Sequence, residues 1–500
     1  MIEISLGEIA DIVGGRLTSA DPQTVVAGSI EFDSRAVTAG GLFVALPGER
    51  VDGHDFVEAA TRQGAVASIV TRPVDGPAIE VEDGFAALAA LAAAVIRKLP
   101  DTIVVAVTGS SGKTSTKDLL AQVLAGLGPT VAPPGSFNNE LGHPYTVLRA
   151  TPTTRFLVLE TSARGLGHIR YLADIAPPHI GVVLNVGSAH LGEFGSREAI
   201  AAAKGELVEA LPPDGLAVLN ADDPLVAAMA SRTRARVTMV GEASTADVRA
   251  SDVTLDELGR PRFVLVTADG NVPVELRLVG AHHVGNALAA AAVALECGLR
   301  LADVAAALAA ATPLSRWRME VTERRDGVLV INDAYNANPE SMRAALKTLA
   351  SVGRPRRAAG GRTYAVLGPM AELGADGPAE HAALGRLAVR LDISQVIAVG
   401  DEARPIQHAA ALEGSQDGES RWVADVEAAI GLLRSELRAP DVVLVKASRS
   451  ASLERVALAI ADDVESGTGE RAGSDGRARP SGPAKRSRSS DPRAKGDNGG

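Results

Sequence analysis

The residues best placed to do chemistry are Lys113 and Thr114, inside the run IVVAVTGSSGKTSTKDLLAQVLAGL at 103–127. Thr108, Gly109, Ser110, Ser111 and Gly112 precede them and Ser115 follows. The glycines let this loop turn tightly and bring backbone N–H groups up to a phosphate. Lys113 adds a point positive charge, and the Thr114 hydroxyl can hold Mg²⁺. The common phosphate loop has a further glycine five residues before Gly112, where this chain has Val107. The elements around the loop fall in the required order. The apolar run 103–107 reads as a parallel strand buried on both faces. Leu119, Leu120, Val123, Leu124 and Leu127 give the following segment one apolar side at helical spacing. The positive end of that helix falls on the loop. This stretch predicts a nucleoside-triphosphate site.

Other chemistry-bearing residues lie at the ends of further apolar runs. The run 156–159 ends in Glu160, and the run 180–184 leads to Asn185 and His190. Ligands of open α/β sheets lie beyond the carboxyl ends of the strands, so both residues face the same region. Glu160 offers oxygen to Mg²⁺, the ligand type that ion takes. His190 alone reads equally as a structural or phosphate-contacting side chain. Lys204, in AIAAAKGELVEAL, reads either as a solvent-facing lysine or as a desolvated one. A neutral amine in the second case could add CO₂ and become a metal-binding carbamate.

The chain that positions these groups has 500 residues, which suggests about three domains. The net charge of −11 argues against nonspecific nucleic-acid binding. A single cysteine, Cys297, excludes internal disulfides and fits a reducing, cytoplasmic setting. The N-terminus carries acids where a signal peptide needs bases, and apolar stretches such as 85–96 are too short for a membrane span.

Residues 1–84 read as a small α/β domain, with Asp33, Ser34, Arg35, His54 and Asp55 in turns around an apolar strand at 42–46. Taken alone, ordinary turn residues would explain them. Residues 85–314 repeat strand, loop and helix, with further strands at 216–219 and 237–240. Residues 315–464 do the same independently, from a strand at 328–331 into NDAYNANPESM. Asn338 and Pro339 there predict a helix N-cap and first turn. The fold class is therefore α/β: a small first domain, a central phosphate-loop domain with a mostly parallel sheet, and a Rossmann-like third. Residues 465–500 are rich in Gly, Ser, Pro and Arg and poor in apolar residues, a disordered low-complexity tail.

Together the strings TGSSGKTST, LVLETSARGLGHI, LNVGSAHLGEFGS, AKGEL, GAHHVGNALAA, RWRME, NDAYNANPESM and VLVKASRS resemble the Mur ligases, in that family's order. The resemblance runs from about 30 to 455, and this family uses the shorter T-G-x-x-G-K-T loop. DSRAVTAGGLFVAL, DGHDF and SFNNELGHP resemble the branch that joins D-alanyl-D-alanine to UDP-N-acetylmuramoyl-tripeptide. The resemblance implies ATP-dependent amide formation through an acyl phosphate, with Mg²⁺, in cell-wall precursor synthesis. It implies phosphate contacts from the 108–115 loop, and metal ligation by Thr114, Glu160, His190 and a carbamylated Lys204. His282 and Asn286 match adenine-contacting positions; Arg318 and Asp333 match residues of the third domain that reach the nucleotide. Ser34, Arg35, His54 and Asp55 match the UDP-binding segment, Asn138 and Asn139 a substrate loop, and Tyr335, Asn336 and Asn338 the region of the incoming amine. Lys113, Glu160, His190, Lys204 and Arg318 would then form the catalytic set. His283, Pro369 and Ala447 depart from the family's usual Asn, Asp and Gly.

Competing expectations are a relative that adds a single amino acid, a folylpolyglutamate-type ligase, and a nucleotide-dependent scaffold. The first domain argues against the folate branch, and DAYNANP favours the dipeptide branch. The five catalytic candidates together argue against a scaffold. A monomer without nucleic-acid or membrane partners is expected, open without substrates and closed around them.

Overall fold

The computed structural model describes residues 2–48, 51–187, 191–414 and 418–462. His190 and the 465–500 tail lie outside the described residues. Three larger sheets organise the chain, and each is built where the sequence supplies apolar runs.

The first is a five-stranded sheet in the order Arg16–Thr18, Ala78–Glu80, Ala65–Val70, Gly41–Val44 and Ile30–Glu31. All neighbours are parallel except the first pair. Gly41–Val44 is buried throughout, and a single 3₁₀ turn, Gly53–Phe56, precedes the helix Val57–Gln63. The helix Gly84–Arg97, capped by the Asp83 carboxylate, places Leu88, Leu91 and Val95 in a core shared by Leu6, Ile69 and Ile79. Leu157 and Leu159 of the next sheet reach into that same core. This alanine-rich helix therefore fastens the first sheet to the second.

The second sheet has nine strands. From one edge they run Thr130–Val131, Phe156–Glu160, Ile103–Thr108, Ile180–Val183, Leu216–Asn220, Arg236–Gly241 and Val248–Leu255, all parallel. Two antiparallel strands, Pro261–Thr267 and Gly270–Glu275, then extend the other edge. The central strands are apolar up to their carboxyl-end residues because helices cover both faces, as parallel sheets require. On one face lie the helices Lys113–Leu124 and His283–Glu296; the core of the other includes Ile200, Ala203 and Leu207 of Arg197–Glu209. The sequence reading of repeated strand and helix had no place for the antiparallel edge at 248–275.

The third sheet has six strands. Five are parallel, in the order Leu329–Asn332, Val442–Lys446, Thr363–Leu367, Gln395–Val399 and Ser420–Val423, and Glu320–Glu323 pairs antiparallel at the edge. The last parallel strand in the chain inserts between the first two, so Asn332, Lys446 and Leu367 end side by side. The helix Pro339–Ala358 begins as the sequence predicted. Asn338 Oδ1 accepts from Ser341 N–H at 2.9 Å, and the Ser341 hydroxyl returns the bond to Asn338 N–H. Among the described residues, no helix is long and apolar enough to cross a membrane.

Candidate active site

The carboxyl ends of the second and third sheets face each other across a cleft of about 560 Å³, within the range of nucleotide-sized sites. Ser110 to Ser115, Asn138, Asn139, Glu160, His282, Asn286, Arg318, Asp333, Tyr335, Asn336 and Asn338 all line it. Residues far apart in sequence are thus brought together.

The phosphate loop leaves the strand Ile103–Thr108 and enters the helix Lys113–Leu124 through Gly112, whose φ of 82° only glycine adopts freely. A Cβ at Gly112 would lie 2.6 Å from Asn286 Oδ1, so the glycine also makes room for that amide. Asn286 in turn touches His283, Nδ2 to Nδ1 at 3.4 Å, which a neutral ring can accept. Burial, with His282 beside it, holds His283 well below its ordinary pKa. Asn185 Oδ1 accepts from Ser111 N–H at 2.9 Å and pins the loop's outer turn. Lys113 Nζ donates to Gly109 O at 2.7 Å. Desolvation lowers its pKa and Arg318 adds to that, while Glu160 opposes both.

Glu160 is buried at the strand end and accepts three side-chain hydrogen bonds. Thr114 Oγ1 donates to Oε2 at 2.9 Å; Ser136 Oγ and Asn138 Nδ2 donate to Oε1 at 3.1 and 2.8 Å. The donor set suits a hard cation, because a hydroxyl and a carboxylate oxygen already meet at one point. Lys204 is 5% exposed and does not line the cleft itself. Burial pushes its amine well below the usual lysine range, with Lys113 contributing. Of the two sequence readings of Lys204, the solvent-facing one fails. Arg232 packs across the neighbouring Gly205 and donates to Ala201 O and Ala202 O, fixing that helix turn.

Arg318 comes from the segment joining the second sheet to the third. Trp317 and Met319, on either side, have φ of 58° and 50°. Each left-handed non-glycine residue costs about 1–2 kcal/mol. The guanidinium lies 4.2 Å over the Tyr335 ring, and its buried Nε has no hydrogen-bond partner among the described residues. A buried donor of that kind is left for water or a ligand. Asp333 Oδ1 accepts from Met319 N–H at 3.1 Å, and its Oδ2 pairs with Lys446 at 2.7 Å. Lys446 Nζ also donates to Asn336 O at 2.7 Å, so the 333–336 turn is held from below. Asp333 is therefore spent on positioning within its own domain. Asn338 Nδ2 donates to Ser110 O at 3.2 Å, a bond across the cleft to the phosphate loop.

Several expected site residues separate from this cleft. Ser34, Arg35, His54 and Asp55 do not line it. Arg35 is exposed and paired with Asp33, and Asp55 is exposed beside Arg72. His54 is buried and has both ring nitrogens engaged, Nδ1 with Asp52 at 2.6 Å and Nε2 accepting from Thr71 N–H at 3.0 Å. Those bonds fix the 52–55 turn. Thr108 is wholly buried at the strand end and its side chain likewise does not reach the cleft. The sequence reading passed over Ser136, Lys446, Ser448 and Arg449, although SFNNELGHP and KASRS held the signal.

Comparison with known proteins agrees with this geometry. The model described as "Mur ligase family, catalytic domain" matches residues 28–96, "Mur ligase middle domain" 107–294, and "Mur ligase, glutamate ligase domain" 317–449. The chain belongs to the Mur ligase family. It is similar to the UDP-N-acetylmuramoyl-tripeptide–D-alanyl-D-alanine ligase of Mycobacterium tuberculosis, 54% identical over 93% of this chain and 99% of that one. The Escherichia coli protein of the same name is 37% identical over the same shares. Among solved structures, MurF from Acinetobacter baumannii superposes with a TM-score of 0.81 at 32% identity, covering 93% of this chain and 99% of that one. A MurF ligase from Thermotoga maritima in complex with ADP gives 0.75 at 31%, covering 88% and 98%. The family's departures are absorbed locally here. Ala447 packs against Gly368, where a Cβ would come within 2.7 Å, and Pro369 keeps its carbonyl on Ser448 N–H at 2.9 Å.

Proposed function

We propose that this chain is the ATP-dependent ligase that joins D-alanyl-D-alanine to UDP-N-acetylmuramoyl-tripeptide in peptidoglycan precursor synthesis. The observation that carries the reading is one cleft holding the phosphate loop, the buried Glu160 and the half-buried Arg318, each from a different element. The high identity to the mycobacterial ligase over nearly the whole chain supports the choice of substrates.

The reaction moves the γ-phosphoryl of ATP to the terminal carboxylate of the tripeptide, and the dipeptide's amine then displaces phosphate from the acyl phosphate. Both steps place negative charge on oxygens, so catalysis rests on positioning and on cationic groups already in place. Backbone N–H groups of 109–114 and Lys113 hold the phosphates. Arg318 approaches from the third domain with a free Nε and stabilises the charge that builds on the transferred group. His282 and Asn286 flank the adenine, with His283 keeping the Asn286 amide in one orientation. Thr114 and Glu160, with His190 and Lys204 as its carbamate, would hold Mg²⁺, which supplies charge neutralisation at the phosphates. Asn138 and Asn139 meet the tripeptide; Tyr335 and Asn336, braced by Lys446, border the amine's approach, with Asn338 closing the cleft beside them. Ser34, Arg35 and Asp55 present polar groups on the first domain to the UDP end, on a turn that His54 shapes. The reaction belongs where ATP and UDP-linked precursors are supplied, the cytoplasm.

The test is phosphate release from ATP by the purified protein with UDP-N-acetylmuramoyl-tripeptide and an amine. Turnover with D-alanyl-D-alanine and none with single amino acids or without amine is expected. Turnover with a single amino acid would move the chain to another branch of the family. Absence of turnover under every pairing would overturn the enzymatic reading.

A further inference from the structure

A buried charge cluster outside the cleft ties three of its walls together. Lys117 and Asp118 lie one turn into the helix that starts at the phosphate loop, and are 2% and 6% exposed. Neither reaches the cleft. Lys117 Nζ pairs with Asp118 Oδ1, donates to Pro133 O at 3.0 Å and meets Ser315 Oγ at 3.4 Å. Asp118 Oδ2 accepts from Ser315 N–H at 3.0 Å. One turn further on, Gln122 clasps the same linker from both sides. Its Nε2 donates to Thr312 O at 2.9 Å and its Oε1 accepts from Thr312 N–H at 3.0 Å.

The linker bound in this way runs directly into Arg318. Ser315 is fixed to Asp118, and three residues later Arg318 emerges between the left-handed residues Trp317 and Met319. Past it, Met319 N–H is held by Asp333 and Trp317 N–H by Glu320 Oε2 at 3.1 Å. Pro133, the other partner of Lys117, opens the loop whose Ser136 and Asn138 hold Glu160. A buried ion pair is poorly rewarded in stability compared with apolar residues of the same volume, so its retention needs a positional reason.

We infer that Lys117, Asp118 and Gln122 are positioning residues for Arg318: they fix the near end of the linker to the nucleotide-binding helix, so that the strained segment 317–319 can hold the guanidinium in the cleft. The inference rests on the reading of Arg318 as a phosphate-facing group. None of the three touches the substrates; each acts through the linker. The cluster makes the phosphate-loop helix and the linker up to Ser315 one mechanical unit, from which the strained segment 317–319 carries Arg318 into the cleft.

The chain's two tryptophans allow a direct test. In a Trp422→Phe parent, Trp317 is the sole tryptophan and reports on the segment beside Arg318, where the Arg449 guanidinium lies 4.6 Å from its ring. Asp118→Asn is compared with the parent, with Arg318→Ala and with the double variant. Asp118→Asn is expected to shift Trp317 emission without ligands and to lower kcat at least about tenfold, with the KM for ATP within about threefold. In the Arg318→Ala background the same substitution should change kcat by less than about twofold, because what it positions has been removed. Gln122→Leu, which removes no buried charge, gives a second route that does not threaten the fold. Its expected effect is smaller, in the same direction, and also abolished by Arg318→Ala. Equal fold-losses in both backgrounds, or unchanged Trp317 emission with only a lower melting temperature, would overturn the inference. Parental turnover in Arg318→Ala would instead overturn the phosphate-facing reading on which it rests.

Discussion

At the residue scale the site works by engaging its charged groups before any substrate arrives. Glu160 has three donors, Asp333 has Met319 and Lys446, and Lys113 has Gly109 O. The groups left for a ligand include the Arg318 Nε and the Thr114 hydroxyl, which can leave Glu160 for a cation. Thr114 is the sharpest place to probe this. Thr114→Val keeps the shape, removes the hydroxyl and leaves Glu160 Oε2 short of a partner. A loss of about 100-fold in kcat/KM is expected, equivalent to ~2.7 kcal/mol, the size seen when one polarising group is lost. Thr114→Ser should stay within about threefold, since the hydroxyl is what matters. Steady-state phosphate release decides it; a Val variant with unimpaired turnover would remove Thr114 from the site.

At the scale of elements, two helices of the third domain meet so closely that glycine is required. A Cβ at Gly385 would fall 2.0 Å from Ile406 O, where the helices Gly377–Arg390 and Arg404–Glu413 cross. Gly385→Ala must push those helices apart, at a cost of about 1–3 kcal/mol for an overpacked contact. Because the crossing is remote from the phosphates, a lower melting temperature with an unchanged KM for ATP is expected. An unchanged melting temperature would show that the contact relaxes. The same scale explains what could be read from sequence. The runs 156–159 and 103–107 are apolar at every position because both faces are covered, so strand, order and ligand end were all legible. Val248–Leu255 alternates buried and half-exposed residues, VRASDVTL, and its partners pair antiparallel at an open edge. A short amphipathic stretch there carries no signal that it continues the parallel sheet. Lys446 and Ser136 were legible only as members of strings. What makes them matter is tertiary: strand pairing carries Lys446 to Asp333, and a loop carries Ser136 to Glu160. The bonds that His54 makes to Asp52 and Thr71 were not legible either, since a polar residue in a turn looks free until its buried partners are seen.

For the whole molecule, the question is what holds the third domain over the second. Among the described residues, several contacts cross the cleft. Asn338 Nδ2 donates to Ser110 O, and the Glu340 side chain lies where a Cβ on Gly187 would fall, 2.5 Å from its Cδ. Gly192 and Gly374 approach backbone to backbone, with 3.0 Å between a Cβ on Gly192 and Gly374 N. A neutral hydrogen bond such as Asn338 to Ser110 contributes about 0.5–1.5 kcal/mol, set against the freedom a domain gains on opening. In the proposed reading, nucleotide phosphates resting on the phosphate loop would answer Arg318 from the far side and favour the closed arrangement. The ligand-free chain is therefore expected to populate a more open form, closing when nucleotide and UDP-linked substrate are both present. Solution scattering should give a larger radius of gyration without ligands than with both, and Asn338→Ala should enlarge the difference needed to close. Superimposable profiles in the two conditions would mean that the two domains are already locked, and that closure has no part in assembling the site.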